Sequence, residues 1–302
     1  MKIAIAGGTG FVGKKLSDYL LDQQHEVFIL TRNASKISHH PSLHYVEWLG
    51  ANRSPESELQ DVDAIINLAG ESLNSGRWTE ARKRLIIDSR VTTTREILRI
   101  ISSMQKKPNV LLNASAIGIY GTSEEETFTE ETSRLGSDFL ANTVSAWEQE
   151  ANLAAEIGVR TCFLRLGVVL GDDGGALTRM VLPYTFFIGG TIGSGKQWLS
   201  WIHIDDVIRG MEFLLHHENL SGAINFTAPN PLQMKEFGQT IGKVLNRPHW
   251  LPVPGFALQL LLGEMSILVL EGQKVIPNKL IEHGFTFTFE TVEKALRNVF
   301  PR

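Results

Sequence analysis

Gly7, Gly10 and Gly13 recur at three-residue spacing between the apolar run Ile3–Ala6 and a helical pattern that follows. This arrangement brings backbone N–H groups to a phosphate. The first glycine permits a tight turn, the second lets the backbone approach a pyrophosphate, and the third lets the helix pack closely on the strand. The helix N-terminus behind them offers free N–H groups and the positive end of its dipole. A dinucleotide is the expected ligand, with Gly7, Thr9, Gly10, Phe11, Val12 and Gly13 around its diphosphate. The alternative is a loop that has kept its shape and lost its ligand.

A second apolar run ends in Leu30-Thr31-Arg32-Asn33. A carboxylate there would bind the adenosine ribose 2′-hydroxyl of NAD and repel a 2′-phosphate. This chain has Arg32 instead, whose planar guanidinium pairs a phosphate bidentately, beside the Thr31 hydroxyl. The expected cofactor is therefore NADP(H), against a reading of Arg32 as a plain surface arginine. Leu68, Ala69 and Gly70 close a further apolar run and are small enough to lie along the adenine–ribose half of the cofactor.

These residues need a scaffold, and the hydrophobic pattern supplies one. Short apolar runs at Ile3–Ala6, Val27–Leu30, Leu43–Val46, Ala64–Leu68, Val110–Ala114 and Thr161–Leu166 read as strands. Helical patterns at Val12–Leu21, Trp78 to about Ser103 and Phe139–Ile157 separate several of them. Alternation of this kind predicts an α/β fold, a Rossmann-type doubly wound parallel sheet. After Gly171 the rhythm breaks into glycine turns and shorter elements: helices at Asp205–Leu215 (with Asp205 as cap), Lys235–Leu245 and Val292–Val299, and a strand at Ala223–Phe226. The expected division is a cofactor domain over 1–170, to which strands near 200–228 return, and a smaller C-terminal substrate lobe over 171–302.

Length agrees, since 302 residues exceed the roughly 250 that one core usually serves. A net charge of −4 gives no basic footprint for nucleic acid. One cysteine, Cys162, excludes an intramolecular disulfide and a multi-cysteine metal site and fits a reducing compartment. No metal is expected. The most apolar stretch, Val253–Leu270, is interrupted by Pro254, Gly255, Gln259, Gly263 and Glu264, so it reads as buried helix rather than a membrane span. With no secretory leader pattern visible, a cytoplasmic protein is expected.

Taken together, the motifs resemble the extended short-chain dehydrogenase/reductase superfamily, the group of nucleotide-sugar epimerases and dehydratases. The nearer resemblance is to its atypical "epimerase family protein" branch. It rests on Gly8-Thr9-Gly10-Phe11-Val12-Gly13, Asn67-Leu68-Ala69-Gly70-Glu71, Arg77-Trp78-Thr79 through Ser89-Arg90-Val91, and Leu164 through Gly171. Further marks are Ile192-Gly193-Ser194-Gly195-Lys196-Gln197 running into Ser200-Trp201-Ile202-His203-Ile204-Asp205-Asp206, and a tail over about 250–298 like that branch's own C-terminal domain. The resemblance adds Leu85, Arg90 and Val169 to the cofactor contacts. It also implies a homodimer through the two long helices.

The superfamily's proton-transfer pair, Tyr-x-x-x-Lys, is missing. None of Tyr19, Tyr45, Tyr120 and Tyr184 has a lysine four residues on. With Trp147-Glu148 as anchor, the tyrosine slot falls on Leu140 and the lysine slot on Val144. Arg90 stands where the superfamily has an asparagine, and a fixed cation there takes over the lysine's electrostatic role; the alternative is a helix-surface arginine. Ser115 is the candidate hydroxyl donor. Tyr120 resembles the structural tyrosine of a Val-Tyr-Gly turn and is a second proton-donor candidate. Glu71 is a third acid–base candidate. Trp78 and Trp201 either line a substrate cleft or pack in a core. Leu199 fills a slot where nucleotide-sugar enzymes often carry a phosphate-gripping arginine; the alternative is Lys196 standing in as a point charge with a different geometry. The expected activity is an NADP(H)-dependent oxidoreductase or epimerase acting on a small carbonyl or hydroxyl substrate; the alternative is a non-catalytic NADP(H)-binding module.

Overall fold

The computed structural model describes residues 1–34, 40–50, 53–172 and 174–301. Strands β1 (Lys2–Ala6), β2 (Glu26–Thr31), β3 (Leu43–Glu47), β4 (Ala64–Asn67) and β5 (Val110–Ala116) join the strands Arg160–Leu166 and Gly222–Phe226 in one sheet. All the pairings in it are parallel. Its order is Gly222–Phe226, Arg160–Leu166, β5, β4, β1, β2, β3.

The sheet is covered on both faces because its central strands carry consecutive rather than alternating buried apolar residues, Ile3–Ala6 in β1, Val27–Leu30 in β2 and Ala64–Ile66 in β4. In β1, Ile3 and Ile5 pack with Leu16 and Leu20 of α1 (Phe11–Asp22). Ala4 and Ala6 point the other way, to Ile97 and Ile100 of α2 (Glu80–Ser103). The two-residue period of a strand thus feeds two separate cores. From β1 the order runs outward through β2 and β3 on one side and through β4 and β5 on the other. The crevice at the carboxyl ends of β1 and β4 is the switch point at which such sheets bind ligands.

Next come α3 (Phe139–Glu156), α4 (Leu177–Thr185), α5 (Ile204–His216), α6 (Met234–Leu245) and α7 (Gly255–Leu262). Leu177, Tyr184, Trp201, Phe237 and Leu296 build a third core. Val207 and Met211 of α5 and Leu280 and Phe285 of the tail pack into the first. Asp206 holds the tail in place. Its buried carboxylate accepts the N–H groups of Thr288 (2.8 Å) and Phe289 (2.9 Å) and pairs with Arg209 at 3.0 Å.

Asp205 does not cap α5. The cap is His203, whose Nδ1 accepts the Asp205 N–H at 3.1 Å, and Asp205 lies in the first turn. The helix starts directly after the strand Trp201–His203, so its cap falls two residues earlier than Asp205, and a buried imidazole reaches the orphan N–H as well as a carboxylate would. Similarly, α2 begins at Glu80, not Trp78, because the Thr79 hydroxyl caps it through the Arg82 N–H. No helix among the described residues is long and apolar enough to cross a membrane.

Candidate functional site

The glycine turn is built by close backbone approach. Gly7 has φ +79°, and a Cβ there would stand 2.8 Å from the Leu68 carbonyl. A Cβ on Gly13 would stand 2.2 Å from the Gly7 oxygen. Gly10 caps α1 with no side-chain hydrogen bond, and the first turn carries no acidic residue. The helix therefore presents an uncovered positive end beside a turn with space only for glycine. Those features fit the diphosphate of a dinucleotide. The Phe11 ring lies beneath a second glycine turn, against Gly171, Gly174 and Gly175.

Register brings the other cofactor candidates alongside. Ala6 pairs with Leu30 across β1 and β2, so Thr31 and Arg32 follow directly beside Gly7 and Gly8. Thr31 Oγ1 is bonded to the Asn33 backbone (3.2 and 3.3 Å). Arg32 is exposed and pairs with no carboxylate among the described residues. Residues 35–39, which follow it, lie outside them. Leu68 donates its N–H to Ala6 at 2.8 Å, and buried Asn67 accepts the Ala69 N–H at 3.2 Å, fixing the loop over the turn. Val169 pairs with Ile202 in a short parallel strand pair and sits beneath Gly175. Leu85 is 48% exposed on α2.

Arg90 and Glu71 meet at this loop. A Cβ on Gly70 would touch the Arg90 side chain at 3.3 Å. The Arg90 guanidinium donates to the carbonyls of Glu71 (3.1 Å) and Ile86 (2.9 Å) and lies 5.1 Å from the Trp147 ring centre. Burial pushes it down to about 10, so it remains a cation at neutral pH. The Glu71 carboxylate is held by Arg82 at 2.9 Å.

Ser115 and Tyr120 belong to a different arrangement, a buried polar network that the sequence reading missed. Ser115 donates to Glu148 Oε1 at 2.5 Å. Arg165 grips the same carboxylate with Nε at 2.9 Å and Nη2 at 2.8 Å, and reaches Tyr120 Oη at 2.9 Å. Tyr120 in turn donates to Asn225 at 2.8 Å. Burial opposes the charge on Arg165, yet the Glu148 hydrogen bonds outweigh it and hold the guanidinium above its ordinary value. Burial also raises the Tyr120 phenol. Arg165 was hidden inside an apolar strand pattern; the available signal was a lone charge at a strand position whose neighbours are all core.

Beside α3 lies a cleft of about 280 Å³. One wall carries Trp78, Phe139 and Leu140, the other Ile267 and Leu270 from the tail. Leu140, in the tyrosine slot, faces this cleft, whereas Val144 is buried beside Tyr120 and Val275. Trp78 lines the cleft while packing with Ile86 and Met265, and Trp201 is a core residue.

Comparison with known proteins agrees with this architecture. Residues 3–226 match the model of the NAD dependent epimerase/dehydratase family. The chain belongs to that family. Residues 253–299 match a domain of unknown function, DUF1731, which is the C-terminal extension expected from the tail. Epimerase family protein YfhF of Bacillus subtilis is 49% identical over 296 residues, covering 98% of this chain and 97% of its own. The crystal structure of human epimerase family protein SDR39U1 with NADPH superposes with a TM-score of 0.87 at 32% identity, over 99% of both chains. UDP-glucuronic acid 4-epimerase from Bacillus cereus, solved with UDP-glucuronic acid and NAD, gives a TM-score of 0.78 over 99% of this chain and 98% of its own. Its 17% identity extends the likeness to the fold alone.

Proposed function

We propose that this protein is an NADP(H)-dependent oxidoreductase for a small carbonyl or hydroxyl compound that works without a Tyr-x-x-x-Lys pair. The observation that carries the reading is the combination of an uncovered glycine cradle with an exposed, carboxylate-free Arg32 at the end of β2. Arg32 and Thr31 would hold the 2′-phosphate, and Gly7 to Gly13 the diphosphate. NADPH in the human relative is consistent with this preference.

When bound, the nicotinamide supplies hydride, two electrons with one proton, to a carbonyl carbon. The second proton, taken up by the carbonyl oxygen, comes from water in the open cleft. Arg90 stays charged in its half-buried place and acts electrostatically, fixed by two backbone carbonyls. Glu71 is held as an ion-pair partner of Arg82, and the Ser115 and Tyr120 hydroxyls are engaged in the buried network. That engagement favours a second reading, a non-catalytic NADP(H)-binding module.

Calorimetry with NADPH and NADH, followed by NADPH oxidation across a carbonyl panel, separates the readings. Arg32→Glu should weaken NADPH by about ten- to hundredfold, the value of a lost charged hydrogen bond, and spare NADH. Arg90→Ala should abolish turnover while cofactor binding persists. Tight NADPH uptake with no turnover on any carbonyl establishes the module instead. We also propose a cytoplasmic homodimer joined through α2 and α3, which light scattering tests directly.

A further inference from the structure

We infer that the substrate of this site is an uncharged, largely apolar aldehyde or ketone of one or two rings, and not an anionic nucleotide sugar. The inference rests on the NADP(H)-dependent carbonyl chemistry proposed above and names its substrate class.

Shape is the first argument. The cleft is open on one side and holds about 280 Å³, just below the roughly 300–1,000 Å³ typical of sites for drug-sized ligands. A ring or two fills the space between its walls. Its walls suit a ring. Trp78 and Phe139 meet edge to face at 5.1 Å, and the Trp78 N–H is already donated to the Leu73 carbonyl at 2.9 Å, so the indole offers the cleft an apolar surface. Leu140 removes the phenol that this position would otherwise present.

Charge is the second argument and points the same way. The ionisable residues lining the cleft are Asp138, Glu264 and Glu271, all acidic. Four nearby cations are already engaged, Lys83 at the cleft edge against Phe139 and Glu264. Arg77 donates to the carbonyls of Leu260 and Leu261, Arg82 to Glu71, Lys83 to Glu80 and Glu264, and Arg90 to the carbonyls of Glu71 and Ile86. Leu199, in the usual arginine slot, is buried in the third core. Among the described residues that line the cleft a diphosphate would meet carboxylates and no cation, with its desolvation uncompensated. A neutral carbonyl compound meets apolar walls, with Ser266 and Gln259 as the uncharged polar groups able to orient it.

The tail supplies one whole wall, so specificity would reside in the DUF1731 segment. Gln259 lines the cleft from α7, a helix with no buried residue. Phe256, one turn earlier on the same helix face, is 74% exposed. The apolar surface therefore continues outward from the cleft mouth.

The test uses the full chain saturated with NADP⁺ after calorimetry has established cofactor binding. The neutral fluorophore N-phenyl-1-naphthylamine is titrated in, with UDP-glucose and UDP-glucuronic acid as competitors. Leu140→Asp and, independently, Leu270→Asp on the opposite wall should each weaken the fluorophore by about ten- to hundredfold, as expected for losing a buried leucine. NADP⁺ affinity should be unchanged in both. The UDP-sugars should neither bind by calorimetry nor displace the probe, and neutral cyclic aldehydes should displace it. Displacement by either UDP-sugar overturns the inference, as does equal probe binding by the wild type and both variants. Either result with NADP⁺ still bound leaves the cofactor reading standing; failure of NADP⁺ to bind removes that reading itself.

Discussion

Glu148→Ala isolates the buried network that ties Ser115 to Tyr120. Arg165 is 7% exposed, and the substitution strips the bidentate partner from its Nε and Nη2 while Ser115 loses its acceptor. Removing one member of a buried ion pair costs about 3–5 kcal/mol, because the other charge stays desolvated. Unfolding entropy of about 2.1 cal/mol/K per residue gives roughly 0.6 kcal/mol/K for a chain of 302 residues. The melting temperature should therefore fall by about 5–8 °C. Replacing both partners, Glu148→Met with Arg165→Met, removes the stranded charge and should recover much of the loss. A deficit of about 1–3 kcal/mol should remain, since Ser115 then lacks its acceptor while Tyr120 keeps its donation to Asn225. Calorimetric melting of the two variants and the wild type reads all three values. If Glu148→Ala melts within about 1 °C of wild type, or if the double variant melts below the single one, the network is not the buried charge pair argued above.

Gly13→Ala should abolish NADPH binding or destabilise the chain, because the added Cβ would lie 2.2 Å from the Gly7 oxygen; normal binding and melting would contradict the close approach. Burial pushes the Cys162 thiol up to about 11, so native protein should resist a thiol reagent at neutral pH and react once unfolded. Rapid labelling of the native state would contradict that burial. Burial also holds His25, His203 and His249 below the ordinary histidine value of about 6.5. As the pH falls below that value the unfolded chain takes up protons first, so the stability these residues contribute is full above about 6.5 and declines beneath it. The melting temperature should drop across that descent, and a rise would refute the assignment.

Local chemistry made the first half of the fold readable. The spacing of Gly7, Gly10 and Gly13 and the apolar runs of β1, β2, β4 and β5 state their own period and their own turn, and the parallel sheet follows because the runs are apolar on both faces. Arg32 was visible for the same reason, since its position at a strand end is set by the strand. The network of Ser115, Glu148, Arg165, Tyr120 and Asn225 was not visible. Its members come from β5, the turn after it, α3, and the strands Arg160–Leu166 and Gly222–Phe226, so it exists only when the sheet is assembled. Asp205 was read as a cap because acidic residues commonly cap helices; a buried histidine took that place once the preceding strand had fixed the backbone. The cleft likewise needed the tail, which brings Ile267 and Leu270 opposite Phe139 and Leu140 across more than a hundred residues of sequence. Sequence alone determined the strands and the cofactor turn, whose signals lie in neighbouring residues. Tertiary structure decided the charge partners and the walls of the cleft, because hydrogen bonds and apolar contacts form between whichever side chains the folded backbone brings within reach.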